Sequence, residues 1–448
     1  MIHRDERCNP RAPQTVRGAD PTMRPMHALL ITIGSHGDVH PFIGLGLCLK
    51  QRGHRVTIVT NPHFQALIER VGLEFIALDT AERFTEALKN PDLWHPIKGF
   101  KTVMQWGVLP LMRPTYEIIR ANYVPGETIA TIVVASSLAF GARIAEEKLG
   151  VPTATVHLSP AIFRSSYEPP KMPGLFMPRW LPVRVKDAMW WIADKAVIDP
   201  VLAPELNKFR KELGLPPVTR ILNNWWHSPR LTIGMFPEFF APPQPDWPRQ
   251  VKIVGFPLYD ERGVEPLSRE LEEFLSSGDA PIAFTPGSAN IHGREFFEAA
   301  TAACQKINRR GLLLTRHIEQ IPRDLPPTVR HFTYAPFSEL LPRCAALVHH
   351  GGIGTTAQAL AAQTPQLIMP LSHDQFDNAA RVQRLGAGLS ISSRRFAAKN
   401  VARLLDELLH SKLPNQFAMQ DGVKNACDLL EKLNTESPQM KTDVPSAA

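Results

Sequence analysis

Short apolar runs alternate with helix-length segments along most of this chain, and this alternation restricts the folds it can adopt. Residues 27–34 read "HALLITIG", and residues 42–53 follow with a helical pattern that ends in glycine. Residues 54–60, 64–72 and 73–78 continue as strand, helix and strand. Such short apolar runs, each followed by a helix, are typical of strands buried in a parallel sheet. We therefore predict a doubly wound α/β sheet for the first half.

The alternation restarts after a proline-rich segment. Residues 240–260 hold five prolines around one strand-like run, which is typical of a connection between domains. Further strands are predicted at residues 281–288, 310–315, 329–336, 345–350 and 365–370. The predicted units are a disordered extension (1–26), an N-terminal domain (27–245), a linker (246–262), a C-terminal domain with a last docking helix (263–434) and a disordered tail (435–448).

Composition excludes several classes of protein. The five cysteines are dispersed, which favours a reducing cytoplasm over a disulfide framework. No run of about 20 apolar residues exists, so no transmembrane span is expected. The net charge of +7 favours an anionic ligand or an acidic membrane surface. Nucleic acid is not an expected partner, because no Lys/Arg stripe is interleaved with aromatic residues.

A glycine-rich loop follows one of the predicted strands. In "LVHHGGIGTTAQAL", residues 347–360, Gly352 and Gly354 lie between an apolar run and a good helix former. Ligands of doubly wound folds bind at this edge, where bare backbone lets a phosphate approach the helix N-terminus. Thr355 could add a hydroxyl and His350 a ring N–H. The alternative is an ordinary turn with glycines for tight geometry.

Two further loops are predicted at the same sheet edge. "PLSHDQFDNAARV" (370–382) places Asp374 and Gln375 after the next strand, where a carboxylate and an amide suit sugar hydroxyls. In "FTPGSAN" (284–290), Gly287 and Ser288 could hold phosphate oxygens. A helix-capping role for the aspartate is the alternative. All three loops together favour a site for a phosphorylated sugar.

The histidines near these loops also raise the possibility of a metal site. His349 and His350 are consecutive in a strand, however, and should point to opposite faces. We therefore predict no metal and no cofactor, with the phosphorylated sugar as a co-substrate.

Residues 333–382, "TYAPFSELLPRCAALVHHGGIGTTAQALAAQTPQLIMPLSHDQFDNAARV", resemble the donor-binding signature of the family 1 glycosyltransferases. Residues 34–60, "GSHGDVHPFIGLGLCLKQRGHRVTIVT", are similar to the acceptor-side opening of sterol and antibiotic-aglycone glucosyltransferases. "WWHSPR", "FFAPPQPDWP" and "GFPLYD" look most like the rhamnosyltransferase of bacterial rhamnolipid synthesis. The resemblance implies a GT-B fold, in which two Rossmann-like doubly wound domains face each other across a cleft.

The resemblance also implies roles for individual residues. His350 matches the histidine that binds the donor diphosphate, and Asp374 and Gln375 match the pair that holds the donor sugar. Tyr334 stands where many members stack a Trp on the base, and Gln358 replaces the Glu that grips the ribose in plant members. The remaining residues predicted to bind the nucleotide sugar are Gly287, Ser288, Ala335, Gly352, Gly354 and Thr355.

The general base is expected in "SHGDVHP". Asp38 matches the family position, which is His in plant members and Asp in many bacterial ones, and His36 and His40 flank it as alternatives. Ser136 stands where plant members pair their His with an Asp, so a lone Asp38 is the more coherent base. Without the family, Asp38 would be interpreted as a turn residue that caps the following helix.

The tryptophans cluster in the first half. Trp180, Trp190, Trp191, Trp225 and Trp226 lie near several basic residues. They are either core and helix-surface aromatics or the wall of an apolar acceptor pocket with a membrane-facing lip.

Together these features predict an inverting hexosyltransferase that acts on a hydroxyl of a lipid-like or small hydrophobic acceptor. The donor would be of the UDP-glucose or dTDP-rhamnose type. The expected location is the cytoplasm, with peripheral association at the inner face of the membrane. A GT-B-fold nucleotide-sugar epimerase and a non-catalytic partner protein are the alternatives.

Overall fold

Two parallel sheets with helices packed on both faces form the two halves of the protein. The computed structural model describes residues 24–264, 266–411 and 417–436. Within these residues the first sheet has seven strands in the order β3-β2-β1-β4-β5-β6-β7, and the second has six in the order β10-β9-β8-β11-β12-β13. The predicted α/β class with two Rossmann-like domains is confirmed.

The strands of the first sheet are β1 (Met26–Ile31), β2 (Arg55–Thr60), β3 (Glu74–Ala77), β4 (Ala130–Ser136), β5 (Thr153–His157), β6 (Leu231–Gly234) and β7 (Val251–Ile253). Those of the second sheet are β8 (Ile282–Thr285), β9 (Gly311–Leu314), β10 (Val329–Phe332), β11 (Ala346–His349), β12 (Gln366–Ile368) and β13 (Gly388–Ser390).

The helices of the first half are α1 (His36–Gln51), α2 (Gln65–Arg70), α3 (Ala81–Lys89), α4 (Lys98–Val103), α5 (Met112–Asn122), α6 (Phe140–Leu149), α7 (Val183–Ala193) and α8 (Asp199–Glu212). Those that follow are α9 (Arg269–Ser276), α10 (Arg294–Lys306), α11 (Phe337–Leu340), α12 (Ile353–Ala361), α13 (Gln375–Arg384), α14 (Ala398–His410) and α15 (Gly422–Glu436).

Strand β1 shows why the apolar runs are continuous. All six of its residues are buried. Leu29 and Ile31 pack into one hydrophobic cluster, and Ala28 and Leu30 pack into another on the opposite face of the sheet. A strand with helices on both faces is apolar at nearly every position, because successive side chains point to opposite sides. The exception in β1 is His27, whose Nε2 hydrogen-bonds Thr57 Oγ1 (2.9 Å).

The strand order positions the site. In the first sheet the order reverses between β1 and β4, and in the second it reverses between β8 and β11. Loops that leave the carboxyl ends of these strands diverge to opposite faces and open a crevice. The "SHGDVHP" segment after β1 and the glycine loop after β11 both begin at such a crevice; the former was predicted as a loop but forms the first turns of α1.

The structure differs from the predicted boundaries at several places. The linker predicted at 246–262 contains β7, which pairs with β6 and completes the first sheet. Helix α15, predicted with the C-terminal domain, packs Ala426, Leu430 and Leu433 into the cluster that α1 shares with the first sheet. These residues lie on one face at helical spacing, and the apolar surface that they cover belongs to the first half.

The predicted terminal segments lie mostly outside the described residues. Residues 1–23 and 437–448 are not among them. Met26, assigned to the disordered extension, is fully buried at the start of β1. Residues 435–436, assigned to the tail, complete α15. None of the described helices is long and apolar enough to cross a membrane.

Candidate active site

Two carboxylates from opposite halves lie within electrostatic reach of each other. Asp38 lies in the first turn of α1, and Asp374 directly precedes α13. Burial raises the pKa of Asp374, and the charge of Asp374 contributes to the raised pKa of Asp38. The folded chain therefore brings the predicted base and the predicted sugar-binding residue near each other.

Asp38 is held in place by the start of its own helix. Its Oδ2 accepts hydrogen bonds from the Ser35 backbone N–H (2.7 Å) and from Ser35 Oγ (3.2 Å). Gly34 has a φ of +138°, and a Cβ there would lie 2.2 Å from the same oxygen. Glycine is needed at this position both for the backbone conformation and for the approach of the carboxylate. Asp38 is thus the third residue of α1 and forms a capping box with Ser35, so it lies inside the helix and not in a turn before a helix at Phe42.

The environment of Asp38 makes it a stronger base than an ordinary carboxylate. Burial raises its pKa to about 6, the Ser35 hydrogen bonds oppose this rise, and the charge of Asp374 adds to it. A base whose pKa lies nearer the working pH takes a proton more readily, yet it remains mostly ionised at neutral pH.

This pKa predicts the acid limb of the pH–rate profile. With Asp38 as the predicted base, the ionised carboxylate is the active form, so kcat/KM should be half-maximal near pH 6, level off above about pH 7 and fall about tenfold per pH unit below about pH 5. A profile with an unmodified acceptor between pH 4.5 and 8, with donor stability checked at each pH, measures this limb. An inflection near pH 4 would contradict the raised pKa of Asp38.

His36 and His40 lie on a different face of α1 from Asp38. His36 Nε2 accepts from Arg316 (3.3 Å), and His40 Nε2 lies 3.0 Å from Glu261 Oε1 in the connection between the halves. Residues two apart on a helix do not face each other, whereas residues four apart do. The structure therefore groups the two histidines with each other and not with the Asp38 carboxylate. Burial and the neighbouring His40 and Arg316 lower the pKa of His36 to about 3.

The imidazole of His350 lies between two glycines. A Cβ at Gly287 would lie 2.6 Å from its Cε1, and a Cβ at Gly352 would lie 2.7 Å from its Nε2. Burial lowers its pKa to about 4, so the ring is neutral at pH 7. Its Nδ1 is buried and has no partner among the described residues. The ring can thus offer a single N–H to an anion beside the N-terminus of α12 without carrying charge itself.

The neighbouring His349 has a structural environment. It is fully buried in β11, its Nε2 pairs with Gln366 Oε1 (3.0 Å), and its Nδ1 accepts from the Gly351 N–H (3.1 Å). Both ring nitrogens are engaged within the second domain. The two histidines consequently differ in environment: the prediction placed both in the strand, but β11 ends at His349 and His350 begins the loop that follows.

The other predicted phosphate-binding and ribose-binding residues line the same loops. Gly354 and Ser288 are exposed, Thr355 is half-buried and Gln358 is buried one turn further along α12. A Cβ at Gly354 would meet nothing within 4 Å, so this first turn is open on that side. Thr356, whose hydroxyl the sequence also suggested for phosphate binding, is fully buried, and its Oγ1 has no partner among the described residues.

Asp374 and Gln375 are supported by Asn378. The Asn378 amide donates both to Asp374 Oδ2 (2.8 Å) and to the Gly351 carbonyl (2.9 Å), which ties the sugar loop to the glycine loop. Gln375 Oε1 accepts from the backbone N–H groups of Leu371 and Ser372 (2.8 and 3.1 Å). The carbonyl of Gln375 therefore shapes the turn, and its amide nitrogen is the group left for a sugar hydroxyl. Asn378 follows Asp374 by four residues in "DQFDN", and in a helix this spacing places two side chains next to each other.

Tyr334 is accompanied by an arginine that the sequence did not single out. Its hydroxyl donates to the Asp260 carbonyl (2.6 Å), and the Arg316 guanidinium lies 5.2 Å from the centre of its ring. Arg316 follows β9 and also reaches His36, so it bridges the two halves. The side chain of Ala335 packs in a hydrophobic cluster, which leaves only its backbone for a ligand.

Contacts between the halves set the width of the cleft. His373 Nε2 hydrogen-bonds the Leu93 carbonyl (3.0 Å), beside Asp374. The Lys171 N–H donates to Asp377 Oδ1 (2.9 Å) at the start of α13. Glu168 forms ion pairs with Arg384 and Arg381 on the same helix. The loop 165–171 and the Leu93 turn thus hold the Asp374 loop against the first half.

The tryptophans divide between the core and the surface of the first half. Trp190, Trp225 and Trp226 are buried in the first half. Trp180 and Trp191 are exposed. Among the described residues, no group of three or more His, Cys, Asp or Glu side chains is arranged to hold a metal ion.

Two family models match the two halves of the chain. The glycosyltransferase family 28 N-terminal domain matches residues 28–167, and the C-terminal domain of erythromycin biosynthesis protein CIII-like proteins matches residues 312–421. The O-mycaminosyltylonolide 6-deoxyallosyltransferase of Streptomyces fradiae is 31% identical over 435 residues, which are 91% of this chain and 97% of that protein. The chain belongs to the family 1 glycosyltransferases.

Other relatives of this glycosyltransferase agree with that assignment. A sterol 3-beta-glucosyltransferase of Arabidopsis thaliana is 27% identical over 94% of this chain, which spans 65% of the length of that relative. The crystal structure of the glycotransferase of kitacinnamycin superposes with a TM-score of 0.68 at 21% identity, covering 92% of this chain and 99% of that one. The predicted family, GT-B fold and enzyme class are confirmed.

Proposed function

We propose that this glycosyltransferase transfers a hexosyl group, with inversion, from a nucleoside-diphosphate sugar to a hydroxyl of a lipid-like or small hydrophobic acceptor. The observation that supports this most directly is that Asp38 of the first half lies within electrostatic reach of Asp374 of the second half. One carboxylate would take the acceptor proton while the other holds the sugar. The relatives' names include a sterol and O-mycaminosyltylonolide as acceptors, and glucosyl and 6-deoxyallosyl as groups transferred.

The transfer proceeds as a single displacement. Asp38 Oδ1, which accepts no hydrogen bond from the described residues, takes the proton of the acceptor hydroxyl. The acceptor oxygen forms a bond to the anomeric carbon from the face opposite the diphosphate, and the bond from that carbon to the diphosphate oxygen breaks. The released diphosphate stays on the His350 ring and on the N–H groups at the start of α12. No metal is proposed, because the His350 N–H and the backbone N–H groups of α12 face the negative charge that develops on the leaving diphosphate.

The nucleotide and sugar are tested by a donor panel. Because a ligand that binds the folded state alone raises stability, the true donor at 100 times its Kd should add about 2.7 kcal/mol to the free energy of unfolding. UDP-glucose, dTDP-rhamnose and their free diphosphates are compared by thermal shift, with EDTA present in a parallel set. No shift with either class of nucleotide sugar would overturn the donor site, and a shift abolished by EDTA would overturn metal-free binding.

Analysis of the reaction products separates a transferase from an epimerase. A transferase consumes donor in step with the glycosylated acceptor, whereas an epimerase changes the donor when no acceptor is present. Donor and product are followed by chromatography, with a sterol and a hydroxy fatty acid as acceptors.

A further inference from the structure

We propose that the segment 171–197 of the first half is a docking surface for anionic lipid membranes. This inference takes only the hydrophobic acceptor from the proposed function. The surface itself is inferred from the exposure and charge of its side chains. The "outer face" is defined as Phe176 and Trp180 together with Val185, Trp191, Ile192 and Val197.

The outer face exposes large apolar side chains that a soluble helix normally buries. Phe176 and Trp180 are 77% and 78% exposed, and Trp191 and Ile192 are 47% and 56% exposed. Along α7, residues 185, 188, 191 and 192 are all exposed, and they recur at helical spacing on one side. The opposite side of the helix buries Lys186 and Trp190. The apolar stripe of α7 therefore points away from the protein.

The charges around the outer face fit an acidic lipid surface. Lys171, Arg179, Arg184 and Lys195 are exposed within residues 171–197, against Asp187 as the exposed acid. The Lys195 Nζ lies 4.6 Å from the centre of the Trp191 ring. Tryptophan rings mixed with long basic side chains are typical of the membrane interface, where the ring enters the headgroup region and the cation reaches the phosphates.

The outer face borders the entrance to the cleft. A Cβ at Gly174 would lie 3.9 Å from Ile97, which is itself exposed. Gly99, two residues later, packs against His373, the neighbour of Asp374. Lys171, at the start of the segment, hydrogen-bonds the first turn of α13. A membrane on the outer face would therefore present a lipid-like acceptor at the mouth of the cleft.

Vesicle flotation tests this surface with the full-length protein. Vesicles of phosphatidylcholine with phosphatidylglycerol should carry the protein to the top of a gradient, and vesicles of phosphatidylcholine alone should carry much less. Trp180→Ser/Trp191→Ser should weaken binding by about tenfold or more. Ile318→Ser and Val124→Ser, which alter exposed apolar residues elsewhere, are the matched controls and should bind like the unmodified protein.

The charge contribution is measured separately. Arg184→Gln/Lys195→Gln should weaken binding to the anionic vesicles by about fivefold for each charge removed. Arg269→Gln/Arg403→Gln removes two exposed charges from the other half and should have no such effect. Added salt should weaken binding of the unmodified protein.

The proposed membrane surface would be overturned if the unmodified protein did not float, or if the tryptophan and control variants lost binding equally. It would also be overturned if the tryptophan variants changed their oligomeric state and the protein bound no vesicles, because the outer face would then contact a second copy of the chain. Because the vesicles contain neither donor nor acceptor, a protein that floats but transfers no sugar would contradict the proposed function alone.

Discussion

Replacing Asp38 with Asn should reduce kcat by about 10²–10⁴-fold while leaving donor binding intact. The substituted amide oxygen can still accept from the Ser35 N–H, so the helix cap and the position of the side chain are preserved. What is lost is the group that takes the acceptor proton. Turnover with saturating donor and acceptor measures the effect, and the donor-induced thermal shift shows that the nucleotide site has survived.

His36→Ala and His40→Ala are the matched controls for Asp38. Both histidines lie in the first turns of the same helix but face Arg316 and Glu261. We expect each to retain kcat within about tenfold of the unmodified enzyme, because neither contacts the carboxylate that acts on the acceptor. If Asp38→Asn kept its activity and His36→Ala lost it, the base would be the histidine.

Replacing His350 with Ala should lower kcat by about 10²–10³-fold, the range measured when one preorganised donor to a developing anion is removed. The stability of the fold should change little, because the ring rests against glycines and its Nδ1 has no partner among the described residues. Turnover and thermal unfolding are measured on the same preparation.

His349→Ala is the control that separates binding from folding. His349 is fully buried and hydrogen-bonded to Gln366 and to the Gly351 N–H, so its removal should cost about 2–4 kcal/mol of the free energy of unfolding. A loss of stability in His350→Ala equal to that in His349→Ala would contradict the assignment of His350 to the diphosphate.

The fold was readable from the sequence because parallel strands covered on both faces are mostly apolar, and β1 and β11 are buried along their whole length. The three loops of the predicted donor site were recognised for a related reason. Loops that follow the carboxyl ends of parallel strands emerge at the same edge of a sheet. The order of strands and loops along the chain therefore predicts that these loops lie close together. Asp38, His350, Asp374 and Gln375 were named on this basis and on the family resemblance.

Other features depend on contacts between segments that are distant in the chain. Arg316 meets Tyr334 and His36 from a loop with no motif of its own, and its role follows from the closure of the two halves. Helix α15 carries an apolar face whose partner is α1, more than 350 residues earlier, and no local pattern specifies which surface it will cover.

The sequence by itself determined the two α/β halves, the sheet edge that carries the site and the chemical types of the groups there. The direction of each of the three neighbouring titratable side chains in α1 is set by the geometry of that helix. Tertiary structure decided the pKa of Asp38, because burial and the charge of Asp374 from the other half both raise it.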